Sequence, residues 1–320
     1  MQNYSNIQIF LHDFVLSKKI INKSLFELEK IVYLKNKDIK NKSNVFITGL
    51  PRSGTTSLLN FLFSSNEYAS LTYNDIPFIL SPNFSKLLNK KNIIKKERLH
   101  GDGINFDNYS PEALDEIFFH YNEEFVRNEL KNYIQLILLS KNKIKYLSKN
   151  NLNYKRIDLI QSVLPNSIFL IPIREPLHQA NSLLNQHWNF TQLQKEDDFI
   201  LRYMNYLGHN EFGLSHKPWN KPIHFNDLNN INYWLEQWIL FYEFIYSKFQ
   251  SYENCYYIVY EELDNPSYVE KILKKINLEK SRNMDLQFFI NRNKKELNIE
   301  YDQNIFDKSQ LLYQNFLKSC

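Results

Sequence analysis

The chain has 320 residues, enough to bury the core of one elaborated α/β domain or of two smaller ones. Its formal charge of +4 is small and dispersed, which suits an anionic small molecule and excludes the basic footprint of a nucleic-acid binder. Two cysteines, Cys255 and Cys320, cannot build a disulfide framework, no apolar run reaches the ~20 residues of a membrane span, and no secretory leader pattern opens the chain, so a cytoplasmic setting is expected.

Residues 4 to about 40 carry apolar side chains at helical spacing (Ile7, Phe10, Phe14, then Leu25, Leu28, Ile31, Val32), which predicts one or two amphipathic helices. A short apolar strand is predicted at Val45 to Thr48. It ends at Gly49, and Leu50-Pro51-Arg52-Ser53-Gly54-Thr55-Thr56-Ser57 then opens into a helix running to about Phe63. In that order, strand, loop and helix let main-chain N–H groups and a helix N-terminus cradle an anion. The spacing of Gly49 and Gly54 mimics a nucleotide-binding P-loop, with one departure. Thr55 stands where G-x-x-x-x-G-K-[ST] requires lysine, and the cation is Arg52 instead. The loop reads as a phosphate cradle that lacks the lysine serving a magnesium-bound triphosphate.

Further along, Ala69 to Asp75 predicts a second, shorter strand closed by Ile76-Pro77. Ser110-Pro111-Glu112 combines an N-cap residue, a first-turn proline and an acid, and predicts a helix through Asp115, Ile117, Phe118 and Phe119. Another helix covers roughly 124 to 139, a strand at Ile144 to Leu147 leads to Ser148-Lys149-Asn150, and a helix from about Tyr154 to Val163 stops before Pro165. Ser167 to Ile173 is almost continuously apolar, as expected of a parallel strand covered on both faces. A helix begins near Pro176, an aromatic-rich helix covers Leu228 to Phe249, Cys255 to Tyr260 is a strand, and Pro266 starts a helix through Ile276 with a helical C-terminal segment beyond. Alternating strands and helices predict an α/β fold with a central parallel sheet flanked by helices, its ligand lying outside the carboxyl ends of the strands.

Two motifs carry a resemblance to a family. Pro51-Arg52-Ser53-Gly54-Thr55-Thr56 after a strand resembles the 5′-phosphosulfate loop of sulfotransferases. Ile171-Pro172-Ile173-Arg174-Glu175-Pro176-Leu177, with Ser182 eight residues beyond Arg174, resembles their 3′-phosphate motif. The whole is similar to bacterial-type sulfotransferase domains related to carbohydrate and tyrosylprotein sulfotransferases. That implies a P-loop-containing nucleotide hydrolase-like fold as a single domain over 1–320, with a motif-bearing core at about 44–276 and an N-terminal helical extension over 1–43. It also implies transfer of a sulfuryl group from 3′-phosphoadenosine 5′-phosphosulfate (PAPS) to a hydroxyl.

By the same resemblance, Arg52, Ser53, Gly54, Thr55, Thr56 and Ser57 hold the phosphosulfate, and Arg174 and Ser182 hold the 3′-phosphate. Arginine's planar fork of donors is suited to phosphate oxygens. Lys149 helps bind the donor or balances charge on the transferring group, and Ile258 to Leu263 packs beside the nucleotide. The acceptor's proton needs a base: Asp75 is the first candidate and His100, within His100-Gly101-Asp102-Gly103, the second. The acceptor implied is a small molecule or glycan, such as a polysaccharide precursor. No metal is required, because arginine, lysine and a helix dipole supply the positive field.

Glycine usage singles out three loops, since all six glycines pair as Gly49/Gly54, Gly101/Gly103 and Gly208/Gly213. Gly208-His209-Asn210-Glu211-Phe212-Gly213 with His216 has no metal-ligand spacing and reads as shaping an acceptor pocket or an oligomer contact. Lys95-Lys96-Glu97-Arg98 reads as a solvated charge run. Two other functions are compatible with the loop: a P-loop kinase or NTPase, and a catalytically inactive nucleotide-binding scaffold. The oligomeric state has no signature in the chain.

Overall fold

The computed structural model describes residues 6–35, 40–88, 96–97, 105–289 and 297–319. Two helices, α1 (Asn6–Leu16) and α2 (Lys19–Tyr33), precede strand β1 (Ser43–Ile47), helix α3 (Thr55–Phe63) and the short strand β2 (Tyr68–Ala69). Then come α4 (Pro82–Leu88), a small antiparallel ribbon of β3 (Lys96–Glu97) and β4 (Asn105–Phe106), α5 (Glu116–Phe119), α6 (Glu123–Lys141) and β5 (Lys145–Lys149). The second half contains α7 (Ile157–Val163), β6 (Ser167–Ile173), α8 (Pro176–Glu196), α9 (Asp198–Leu207), α10 (Ile231–Phe249), β7 (Cys255–Val259), α11 (Pro266–Lys275) and α12 (Gln303–Ser319).

Five strands form a parallel sheet in the order β2-β5-β1-β6-β7. The chain leaves β1 toward β2 and leaves β6 toward β7, so onward connections diverge at the β1/β6 pair. Such a divergence opens a crevice at the carboxyl edge of the sheet. Alternation along β1 fills both faces. Val45 and Ile47 join Leu58 and Leu62 of α3 and Val269 and Leu273 of α11 in one cluster. Phe46 points the other way and stacks on Phe169 of β6 at 5.5 Å, within the larger cluster that includes Trp234 and Trp238 of α10. Burial on both faces is why β1 and β6 read as continuous apolar runs.

The N-terminal helices are joined to this body by buried groups. Phe26 of α2 is fully buried and meets Phe118 and Phe125 edge-on. Glu29 accepts from the N–H groups of Asn83 and Phe84 at 3.0 Å each, placing a carboxylate at the positive end of α4. Burial pushes its pKa upward, against those hydrogen bonds.

Two predicted elements differ from the structure. The strand expected over Ala69 to Asp75 is only Tyr68–Ala69; Thr72 makes one bridge to Pro111, and Tyr73–Asp75 is a 3-10 turn. The helix expected from Ser110 starts only at Glu116. Ser110 Oγ turns to Asp107, and the N–H of Glu112 donates to the carbonyl of Leu71 at 3.1 Å. Pairing with residues 71–72 keeps this segment extended, so its N-cap signal goes unused. Cys255 is a buried free thiol, pushed up to about 12 by burial, and Cys320 lies outside the described residues. Among the described residues no helix is long and apolar enough to cross a membrane.

Candidate active site

The loop after β1 is tied to its neighbouring strands. The N–H of Thr48 donates to Leu170 of β6, and the N–H of Asn150, just past β5, donates to Ile47. At Gly49 a Cβ would lie 3.2 Å from the carbonyl oxygen of Pro172, so the loop lies close against β6 there. Arg52 has φ of +68°, a left-handed conformation that costs an L side chain on the order of 1 kcal/mol. Four hydrogen bonds hold this stretch: Gln179 Nε2 donates to the carbonyl of Pro51 (2.9 Å), Ser53 Oγ to that of Leu50 (2.8 Å), an Arg174 guanidinium nitrogen to that of Arg52 (3.0 Å), and Arg52 Nε to Ser182 Oγ (3.0 Å). Gln179 is fixed in turn by Trp238 Nε1 at 3.0 Å.

Arg52 therefore touches both Arg174 and Ser182, which lie more than 120 residues further along the chain. Hydrogen bonds thus join the loop expected to hold the phosphosulfate to the residues expected to hold the 3′-phosphate. Beside it, Gly54 begins α3 with φ of +92°, and no side chain caps the helix. The N–H groups of Thr55, Thr56 and Ser57 have no partner inside the helix, so they form its positive end directly after the loop that carries Arg52. Ser53 and Thr55 are buried, while Thr56 and Ser57 are half-buried.

Tyr260, directly after β7, closes this side. The Arg174 guanidinium lies 5.0 Å from its ring centroid, and a Cβ on Gly54 would come within 2.5 Å of the ring. Burial lowers the pKa of Arg174, opposed by Tyr260, Glu261 and Glu175. The two carboxylates are themselves braced. Glu261 accepts from the N–H of Glu175 (3.0 Å), and Glu175 caps α8 through the N–H of His178 (2.8 Å). From α12, Gln310 donates to Glu175 and Tyr313 to Glu261.

Lys149 ends β5 opposite Ile47 and is buried there. Asp75 is placed differently. Its buried carboxylate accepts from the N–H and hydroxyl of Thr72 (2.7 and 3.0 Å) and from the partly exposed Lys141 Nζ (2.9 and 2.7 Å). Both oxygens are engaged in a capping box and an ion pair, which argues against the base role expected of it. His100 lies outside the described residues.

The insert after α9 is held by local contacts. Gly208 (φ +73°) terminates that helix, and Gly213 (φ +78°) packs against Gln194. His216 donates from Nδ1 to the carbonyl of Glu211 (2.7 Å) and accepts from the Tyr233 hydroxyl at Nε2 (2.6 Å). Burial pushes its pKa down to about 4, so the ring stays neutral. Among the described residues no three His, Cys, Asp or Glu side chains are grouped to hold a metal ion.

Sequence reasoning treated Tyr260 as a fold feature and missed Gln179 and Asn151. A glutamine inside a helix has no signature of its own, and Tyr260 acquires its place only when β7 lies beside β6.

The family model described as the sulfotransferase family matches residues 44–282. Among solved structures, sulfotransferase STF1 from Mycobacterium tuberculosis H37Rv superposes with a TM-score of 0.51 at 14% identity, covering 95% of this chain and 84% of that one. STF9 from Mycobacterium avium gives 0.49 at 11% identity, covering 100% and 87%. At these identities the likeness speaks to the fold alone. A sequence search of curated proteins finds no significant match.

Proposed function

Because the chain belongs to the sulfotransferase family over residues 44–282, we propose that it moves a sulfuryl group from PAPS to the hydroxyl of a carbohydrate or polysaccharide precursor. The observation that carries this reading is the junction of Arg52, Arg174 and Ser182 at the uncapped end of α3. A donor with a phosphosulfate on the 5′-carbon and a phosphate on the 3′-carbon of one ribose requires two adjoining cationic pockets, and this junction suits that demand. Arg52 and the N–H groups of residues 53–57 suit the phosphosulfate, and Arg174 with Ser182 suits the 3′-phosphate.

Sulfuryl transfer resembles phosphoryl transfer in depending on alignment and on fixed positive charge at the developing anion. Arg52 is held in a strained conformation by contacts on both sides, so it meets that charge without reorganising. Lys149, at the adjacent strand end, adds a second cation. Residues 53–57 add main-chain dipoles that need no reorientation.

The test is incubation of the protein with ³⁵S-labelled PAPS and a panel of hydroxylated acceptors. Labelled sulfate on an acceptor, together with adenosine 3′,5′-bisphosphate, is expected. Magnesium-dependent ATP hydrolysis without any sulfate transfer would replace this reading with that of an NTPase.

A further inference from the structure

Asn151 lies just past β5, in a turn tied to the phosphate loop. Its carbonyl accepts from Thr48 Oγ1 (3.4 Å), which in turn accepts from the N–H of Tyr154 (2.9 Å). The Asn151 side chain is 8% exposed; its Nδ2 donates to Glu211 Oε1 at 3.3 Å, while its Oδ1 has no hydrogen-bond partner. Asn153 Nδ2, in the same turn, and Trp219 Nε1 are also buried without a partner. Tyr154 joins these groups by donating to the carbonyl of Trp219. Each unmatched buried polar group costs roughly 1–3 kcal/mol, so a cluster of them beside a nucleotide loop points to a polar ligand.

Glu211 is the carboxylate facing this cluster. Other acids around the carboxyl edge are engaged: Asp75 by Lys141, Asp115 by the hydroxyls of Tyr133, Tyr146 and Ser148, Glu116 by both terminal nitrogens of Arg156, and Glu112 by Tyr73. Among the described residues Glu211 makes no ion pair, its Oε2 makes no hydrogen bond, and it is half-buried. Its main chain is pinned by His216, and the loop on which it stands by His209 Nε2 on the carbonyl of Ala113.

We propose that Glu211 is the base that takes the acceptor's proton, positioned by Asn151, and that the turn at 150–153 forms one wall of the acceptor pocket. This rests on the sulfuryl-transfer reading above. In the step, the acceptor oxygen bonds to sulfur as the bond from sulfur to the donor's phosphate oxygen breaks. The electron pair stays on that phosphate oxygen, and the hydroxyl proton passes to Glu211 Oε2 and then to solvent. Asn151 Oδ1, a buried acceptor, suits a second hydroxyl beside the reacting one, which makes simple methyl glycosides the appropriate probes.

The test compares wild type with Glu211→Gln and Asn151→Ala on methyl glucosides and galactosides, with thermal melting as the folding control. Glu211→Gln should lower kcat about 100-fold or more and abolish the acid limb of the pH–rate profile, while binding of adenosine 3′,5′-bisphosphate stays within twofold. Asn151→Ala should raise the glycoside KM about tenfold, with a smaller change in kcat. A Glu211→Gln enzyme retaining a tenth or more of the wild-type kcat, or a wild type that binds the bisphosphate yet sulfates no glycoside, overturns the proposal alone. A wild type that does not bind the bisphosphate overturns the parent reading with it.

Discussion

The two halves of the crevice are built in different ways. On the proposed donor side, the groups come from the loop after β1, the end of β6 and the first two turns of α8, and Arg52, Arg174, Ser182 and Gln179 are joined by direct hydrogen bonds around one main-chain loop. On the proposed acceptor side, the groups come from a turn and an insert, linked by the contacts of Asn151 with Glu211 and of Tyr154 with Trp219, and several buried polar atoms among the described residues lack partners. The first half is preorganised by its own contacts. In the proposal, the second is completed by the acceptor.

The largest effect should come from removing the donor-side cations. Arg52→Ala and Arg174→Ala are each expected to lower kcat/KM at least 1,000-fold, on the scale of losing preorganised charge at a developing anion. Melting temperature should change little in Arg52→Ala, because the bonds from Gln179 and Arg174 to the main chain of the loop stay in place. Steady-state kinetics and calorimetric melting check both.

Next comes Gly54→Ala, which sets a Cβ against the Tyr260 ring at a φ that alanine disfavours. It should weaken binding of adenosine 3′,5′-bisphosphate about tenfold and destabilise the protein by roughly 1–3 kcal/mol, measured by titration and by denaturant unfolding. An unaltered Gly54→Ala variant would show that the ring and loop are not in contact.

A smaller, one-sided effect is expected from α12, which begins beyond the stretch matched to the family. Tyr313→Phe removes the hydroxyl that holds Glu261 and should raise the KM for PAPS a few-fold while leaving the acceptor KM unchanged. An equal rise in both would erase the distinction between the halves.

The last effect appears only below neutral pH and concerns stability rather than turnover. His216 titrates near 6.5 when unfolded and is pushed down to about 4 when folded. As pH falls from about 6.5 to about 4, the unfolded chain takes up a proton that the folded ring refuses, so this group's share of stability is lost over that window. Urea unfolding between pH 4 and 7 should show a slope that is shallower in His216→Asn.

How much of this was legible follows the same division. Anion recognition by main-chain N–H groups needs a strand, a turn and a helix start in immediate succession, so Gly49 to Ser57 announces it within a few residues. Arg174 and Ser182 are legible because β6 and α8 present them at a fixed helical offset. Asp75 read as a base because its position after α3 is visible in sequence, whereas Lys141, which neutralises it, comes from a distant helix. Likewise, the cap signal at Ser110 is local, and the pairing with Leu71 that overrides it is not. Glu211 was visible only as part of a glycine-flanked insert; its tie to Asn151 exists only in three dimensions.

The central claim is that Arg174 and Ser182 make the donor site selective for the 3′-phosphate. Isothermal titration of the wild-type protein with adenosine 3′,5′-bisphosphate and with AMP tests it most directly. The bisphosphate should bind at least tenfold more tightly, and Arg174→Ala should remove the preference. Equal affinity for the two nucleotides in the wild-type protein would contradict it.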